Sequence, residues 1–246
     1  MRVLGGPRAG RRRQADAGNF PVSLDCDGKD EHMETIAPDV HRIPLLPGDG
    51  LNAYLLGDIL VDAGLARSAE TIIKACAGRT ISEHVATHAH LDHVGGSSRV
   101  IAELGLDGLA IGAGDAEAVR TGRAAVKPGS LGRVVARLGG RFKPAPVTRE
   151  LREGDEVGPG FQVLDAPGHS PGQIVLWRAS DRLLIAGDVV TNVRGLHEPP
   201  GMLSVDPERN RESARKLAAL EPATVAFGHG KVLRDGAELR AYVEGL

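Results

Sequence analysis

Cysteine is nearly absent: Cys26 and Cys76 are the only two in 246 residues. That number excludes a disulfide framework and any cysteine-based zinc module, and it fits a reducing cytoplasm. Aromatic side chains make up 3% of the chain, too few for platforms on which nucleic-acid bases stack. An excess of one charge is missing as well. The formal net charge is −2, with no general attraction for nucleic acid. Long apolar runs are lacking; none approaches the roughly 18 residues that cross a bilayer. Neither a nucleic acid nor a membrane is therefore expected as a partner, and no feature specifies an oligomeric state.

What is present is ordinary globular material, 41% hydrophobic and 25% charged. The length suits one α/β domain that buries roughly 70–75% of its unfolded surface without a covalent staple. Residues 1–32 carry no sustained periodicity and read as a disordered N-terminal extension. Arg11, Arg12 and Arg13 are followed by QADAGNF, which is too polar for a secretory signal. The texture changes at Met33, which reads as the start of the domain, residues 33–246.

From Val40 onward, short apolar runs alternate with helical patterns. Val40–Leu46, Asn52–Leu56, Ile59–Val61, Ile81–Thr87 and Leu109–Ile111 read as strands, as do Gln162–Asp165, Gln173–Arg178, Leu183–Ala186 and Thr224–Phe227. Helices are expected over Ser68–Ala77 with Ser68 as N-cap, and over Ser97–Leu104, Asp115–Arg120, Leu131–Leu138, Pro207–Leu220 and Ala237–Val243. Two similar halves of this kind imply two sheets packed face to face with helices outside.

The chemistry is concentrated in histidine and aspartate. The strand ending at Thr87 runs into His88-Ala89-His90-Leu91-Asp92-His93, four potential metal ligands within six residues. This pattern arises by chance at about 0.001 per chain of this composition. His88 and His90 share one side of an extended backbone. Asp92 and His93 follow where the chain turns, and Gly95 and Gly96 let it close under the site. Imidazole nitrogen with carboxylate oxygen suits zinc, and also iron or manganese. Three later residues sit beside glycine just after an apolar run: His169 in APGHSPG, Asp188 in IAGD and His229 in FGHG. His41 and His84 read as structural. Arg194 and His197 lie in a loop that could overhang the site and are candidate substrate contacts.

With these residues the chain resembles the metallo-β-lactamase-fold superfamily, in its branch of glyoxalase II-like and generic metallo-hydrolases. The resemblance runs from about Met33 to the C-terminus and covers five motifs: Asp62, HAHLDH, His169, Asp188 and His229. It implies an α/β fold, a four-layer αββα sandwich of two mixed sheets, with the site at one edge between them. It further implies that His88, His90 and His169 hold one metal, and that Asp92, His93 and His229 hold a second, with Asp188 bridging. Asp62 would support the motif loop without touching metal.

Two divalent cations, Zn2+ first among them, could acidify a shared water to a bridging hydroxide, with Asp92 and Asp188 as the catalytic carboxylates. The expected reaction is hydrolysis of an ester-like bond in a small molecule: a thioester, lactone or other carboxylic ester. Glyoxalase II-like thioesterases carry a further helical domain, whereas 17 residues follow His229 here. Quorum-quenching lactonases use a tyrosine near the metals; the tyrosines here, Tyr54 and Tyr242, do not match its place. The Arg- and Gly-rich stretch 121–150, with Lys127 and Arg133, is the expected specificity segment and hints at an acidic group on the substrate. Two alternatives differ in class. One is a persulfide dioxygenase-like enzyme with a single iron, against which the full set of seven ligands argues. The other is a non-catalytic binding protein, which would have lost ligands.

Deleting residues 1–32 is expected to leave activity and thermal stability nearly unchanged. A melting temperature lowered by more than about 4 °C, roughly 1–2 kcal/mol for a domain of this size, would show instead that the segment packs on the body.

Overall fold

The computed structural model describes residues 33–125 and 140–246. The expected N-terminal extension, the helix Leu131–Leu138, Lys127 and Arg133 lie outside the described residues. The first sheet has seven strands in chain order: β1 (Glu34–Ala37), β2 (Val40–Leu46), β3 (Leu51–Leu56), β4 (Ile59–Val61), β5 (Glu83–Ala86), β6 (Leu109–Gly112) and β7 (Val147–Leu151). The second holds β8 (Glu156–Val157), β9 (Phe161–Asp165), β10 (Ile174–Arg178), β11 (Leu183–Ile185) and β12 (Thr224–Ala226), side by side in the order β12-β11-β10-β9-β8.

Both sheets are mixed, for a reason visible in the connections. Strands β1 to β4 pair antiparallel across short turns. Strands β4 to β7 pair parallel, which requires a crossover between successive strands. Helix α1 (Ala69–Ala75) supplies the first crossover. The one-turn α2 (Leu91–Val94) and α3 (Ser97–Leu104) supply the second, and α4 (Ala116–Thr121) belongs to the third. In the second sheet β11 and β12 are parallel, joined through α5 (Pro207–Ala218), and α6 (Gly236–Glu244) closes the chain.

Alternation of side chains turns these elements into four layers. Ile59 and Val61 of β4 point between the sheets, together with Ile174 and Leu176 of β10 and Leu183 and Ile185 of β11. Tyr54 and Phe161, among the largest fully buried side chains, fill the same space. The intervening residues point outward: Leu60 packs with Ile72 of α1 and Val100 of α3, while Val175 and Leu184 pack with Leu217 of α5 and Val243 of α6. Strands apolar on both faces read as continuous hydrophobic runs because both faces are covered.

The αββα expectation therefore holds, with unequal halves of seven and five strands. Strands β1, β7 and β8 have no counterpart among the expected elements. Ser68 holds the expected N-cap position of α1, but its backbone is helical, at the end of the 3-10 turn Ala66–Ser68, and its side chain makes no capping bond.

Candidate metal centre

The sequence-selected site residues follow strand ends at one edge of the sandwich. Asp62 follows β4, His88 and His90 follow β5, His169 follows β9, Asp188 follows β11 and His229 follows β12. Open α/β sheets place ligand sites outside such carboxyl ends. Backbone bonds tie the two sheets together here: Ile174 N–H donates to the Thr87 carbonyl at 2.9 Å, and Asn52 N–H to the Gly228 carbonyl at 2.8 Å.

Asp62 organises the motif loop. It occupies the left-handed backbone region (φ 61°), which aspartate tolerates better than most residues. Its carboxylate accepts the Thr87 N–H at 2.7 Å, the Thr87 hydroxyl at 2.9 Å and the His93 Nδ1–H at 2.8 Å. Since the Thr87 hydroxyl donates to Asp62, its oxygen is left to accept from His88 Nδ1, 3.1 Å away. Both imidazoles are thereby turned so that Nε2 faces inward. His229 is fixed the same way, donating Nδ1–H to the Gly50 carbonyl at 2.6 Å, and His169 Nδ1 lies 3.1 Å from the Ser204 hydroxyl.

The inward atoms converge. His88 Nε2 and His90 Nδ1 face each other at 3.1 Å. One oxygen of Asp188 lies 3.4 Å from His93 Nε2, 3.7 Å from His169 Nε2 and 3.2 Å from His229 Nε2. Asp92 is 3.3 Å from His229 Nε2. Three overlapping groups are close enough to share a cation: His88 with His90 and His169; His88 with His93 and Asp188; and Asp92 with His93 and His229. His93 Nε2, His169 Nε2 and Asp188 Oδ1 are buried without a hydrogen-bond partner. Buried polar atoms are rarely left so, and donors of this type suit a divalent metal. Gly228 lies against them, where a Cβ would collide with Asp188 Oδ1 and His93 Cε1.

The electrostatics divide the ligands into two sets. Burial, reinforced by the neighbouring imidazoles, pushes His88 well below the usual histidine value and His169 down to about 3; burial also lowers His90. These three rings are neutral and offer lone pairs. Burial also disfavours charge on His93 and His229, but carboxylates outweigh it. Asp188 and Asp62 hold His93 well above the usual value, and Asp188 and Asp92 raise His229 to about 10. Burial opposes ionisation of Asp92 and Asp188 too. His229 and His93 nevertheless bring Asp92 down to about 2 and hold Asp188 well below the ordinary carboxylate range. Without metal, protons on His93 and His229 offset part of the carboxylates' charge.

Sequence reasoning missed the residue that joins the two ligand loops. Asp115, buried just before α4, accepts the Ala89 N–H at 2.9 Å, the Ser170 hydroxyl at 2.6 Å and the Gly172 N–H at 2.8 Å. Ala89 lies between His88 and His90, and Ser170 adjoins His169. Asn52 was also missed; its amide donates to the carbonyls of Phe227 and Gly230, on either side of His229. His84 is structural as expected, packed between the Leu60 carbonyl and the Ser97 hydroxyl. Arg194 and His197 lie in the loop beside the site, from which Thr191, Val193, Pro199 and Pro200 line its cleft.

Fold and ligand set together define a class of metal-dependent hydrolases. The chain belongs to the metallo-beta-lactamase superfamily, whose sequence profile matches residues 46–229. A probable metallo-hydrolase, YflN of Bacillus subtilis, is 30% identical over 199 residues, covering 70% of this chain and 75% of that protein. A hydroxyacylglutathione hydrolase of Rhodospirillum rubrum is 29% identical over 206 residues, covering 78% of this chain and 66% of that protein. Among solved structures, TTHA1623 in a di-iron-bound form superposes with a TM-score of 0.61 at 29% identity, covering 81% of this chain and 96% of that one. Among the described residues no helix is long and apolar enough to cross a membrane.

Two outcomes are expected. In Asp115→Asn, an amide must face at least one N–H or O–H donor that the carboxylate accepted. Metal affinity should fall roughly 10–100-fold, read by chelator competition, with a changed visible spectrum of the cobalt-loaded protein. A loss of thermal stability with unaltered affinity and spectrum would reduce Asp115 to a packing residue. Second, protons on His93 and His229 compete with metal. Because both pKa values are raised, the metal-free site is protonated at neutrality, and affinity should climb as pH rises toward about 10. Titration calorimetry in buffers of different ionisation enthalpy should register the released protons; a pH-independent affinity would contradict the charge balance.

Proposed function

We propose that this chain is a hydrolase that holds two divalent cations and cleaves a carboxylic ester, thioester or lactone of a small molecule. The observation that carries the reading is the position of Asp188, one oxygen of which stands among His93, His169 and His229, between the two ligand sets. A carboxylate in that place can bridge two cations and offset their repulsion. Zinc is the proposed metal; the donors also suit iron or manganese, and the di-iron form of TTHA1623 supports keeping iron in view.

When bound, two such cations supply Lewis acidity for the substrate carbonyl and acidify a water molecule for attack on it. The chain's own residues do the rest. Asp92, ionised and open to the cleft, accepts a hydrogen bond from a water and orients it. Neutral His88, His90 and His169 present lone pairs without needing to lose protons. Leu51, Leu65 and Leu91 keep bulk water from the surrounding walls. No serine or cysteine nucleophile is required. The similarity to a hydroxyacylglutathione hydrolase supports a thioester among the substrates.

The test is metal quantitation after anaerobic purification, combined with thioester, lactone, phosphodiester and β-lactam substrates. Two metals per chain with turnover of a carboxylic ester, thioester or lactone is the expected result. One iron per chain with oxygen consumption would replace the proposal by persulfide oxidation. Asp188→Asn should lower the metal content from two toward one, and excess metal should restore part of the activity. Two tightly held metals in that variant would refute the bridging role.

A further inference from the structure

The metal centre forms one end of a cleft of about 550 Å³. Its polar lining consists of Thr191 and the ligands His90, Asp92, His169, Asp188 and His229. Every other described lining residue is apolar or glycine, and no lysine or arginine is among them. The apolar side chains come from separate parts of the chain: Leu46 from the end of β2, Leu65 from the connection after β4, Leu91 from the metal motif, and Val193, Met202 and Leu203 from the segment after Asp188.

Those last three have a second property. They are the large hydrophobic side chains left exposed among the described residues, at 39%, 52% and 41%. Single exposed hydrophobics need no explanation, whereas a cluster on the rim of a cleft marks a binding surface. Here the cluster is continuous with the reacting centre, so whatever covers it extends from the scissile bond.

We infer that the cleft binds an uncharged, apolar acyl chain attached to the scissile carbonyl, seated against Leu46, Leu65, Leu91, Val193, Met202 and Leu203. The inference rests on the proposed hydrolase reading and narrows its substrate class. The described walls offer a carboxylate no cationic side chain, while burying methylenes there is favourable. A chain of this kind gains from each methylene placed on the wall, whereas a polar group there loses its water without a partner.

The experiment compares acetyl, butyryl, hexanoyl and octanoyl thioesters carrying one common uncharged thiol with the glutathione thioester of lactate, on metal-loaded full-length protein. The expected result is a rise in kcat/KM of up to about fourfold per added methylene, with the octanoyl compound preferred over the glutathione thioester. Met202→Ser and Leu203→Ser should each flatten that rise, cutting the octanoyl-to-acetyl ratio by roughly tenfold when the lost contact is well covered. Direct binding of 1-octanol with a negative heat-capacity change, weakened in the same variants, would support the site independently of turnover. A flat chain-length profile or a preference for the glutathione thioester would overturn the inference while leaving the hydrolase reading intact. Octanol binding without hydrolysis of any ester would instead remove the hydrolase reading and keep the apolar site. If the serine variants changed self-association and left chain-length selectivity untouched, the patch would be a contact between copies of the protein and the inference would fail.

Discussion

Asp188 is a carboxylate almost completely withdrawn from solvent, and one of its oxygens serves three imidazoles at once. Taking a carboxylate out of water is costly unless positive charge and hydrogen-bond donors replace the solvent. Asp62 is buried on the opposite side of the His93 ring and Asp92 stands on the cleft side, so the site gathers negative charge that the apolar sheets around it cannot screen. Protons on His93 and His229 answer part of that demand, and a cation answers it more completely. The neutral character of His88, His90 and His169 comes first from burial, and then from the crowding of neighbouring imidazoles. Adding protons to three crowded, buried rings would exceed the negative charge available to them.

Such a balance requires the ligands to be held where they are, and the holding is done through the backbone and two further aspartates. Asp62 extends from the first sheet and grips Thr87 and His93. Asp115 lies beyond β6 and joins Ala89 of the motif loop to the turn that carries His169. The motif loop is thus fastened from both sides, once within its own sheet and once toward the second. Movement between the sheets would stretch the Asp115 bonds and the Ile174–Thr87 bond together. The inter-sheet core around Phe161, Ile174 and Leu176 therefore acts on the metal geometry as well as on stability.

Legibility in the sequence followed the physics of each feature. The seven candidate ligands could be picked out because histidines and aspartates just after an apolar run are poor choices for a core and good ones for a metal. Central strands could be found because both faces are buried, as in Ile59–Val61 and Leu183–Ile185. The edge strand VTREL of β7 buries only Leu151 fully, and the two-residue β8 has no period to display. Asp115 could not be recognised: in GAGDAE it looks like any residue opening a helix, and its importance comes from Ala89, Ser170 and Gly172, which are distant in sequence. The same holds for Asn52, whose amide matters only because β3 runs beside the His229 loop.

The cleft shows a different kind of limit. Arg194 and His197 attract notice because charged and titratable groups announce chemistry, yet the side chains lining the cleft from their loop beside Thr191 are Val193, Pro199 and Pro200. Apolar residues carry no such signal, since in a sequence a valine or methionine on a rim looks the same as one in a core. Only exposure separates them, and exposure is a property of the fold. The division also has a functional consequence. On the proposed hydrolase reading, directional bonding at the candidate metal ligands would fix where a carbonyl sits, while apolar contact is non-directional and scales with area. A site built from both would hold the reacting bond tightly and discriminate among the chains attached to it only by degrees, because a single buried methylene contributes about 0.8 kcal/mol.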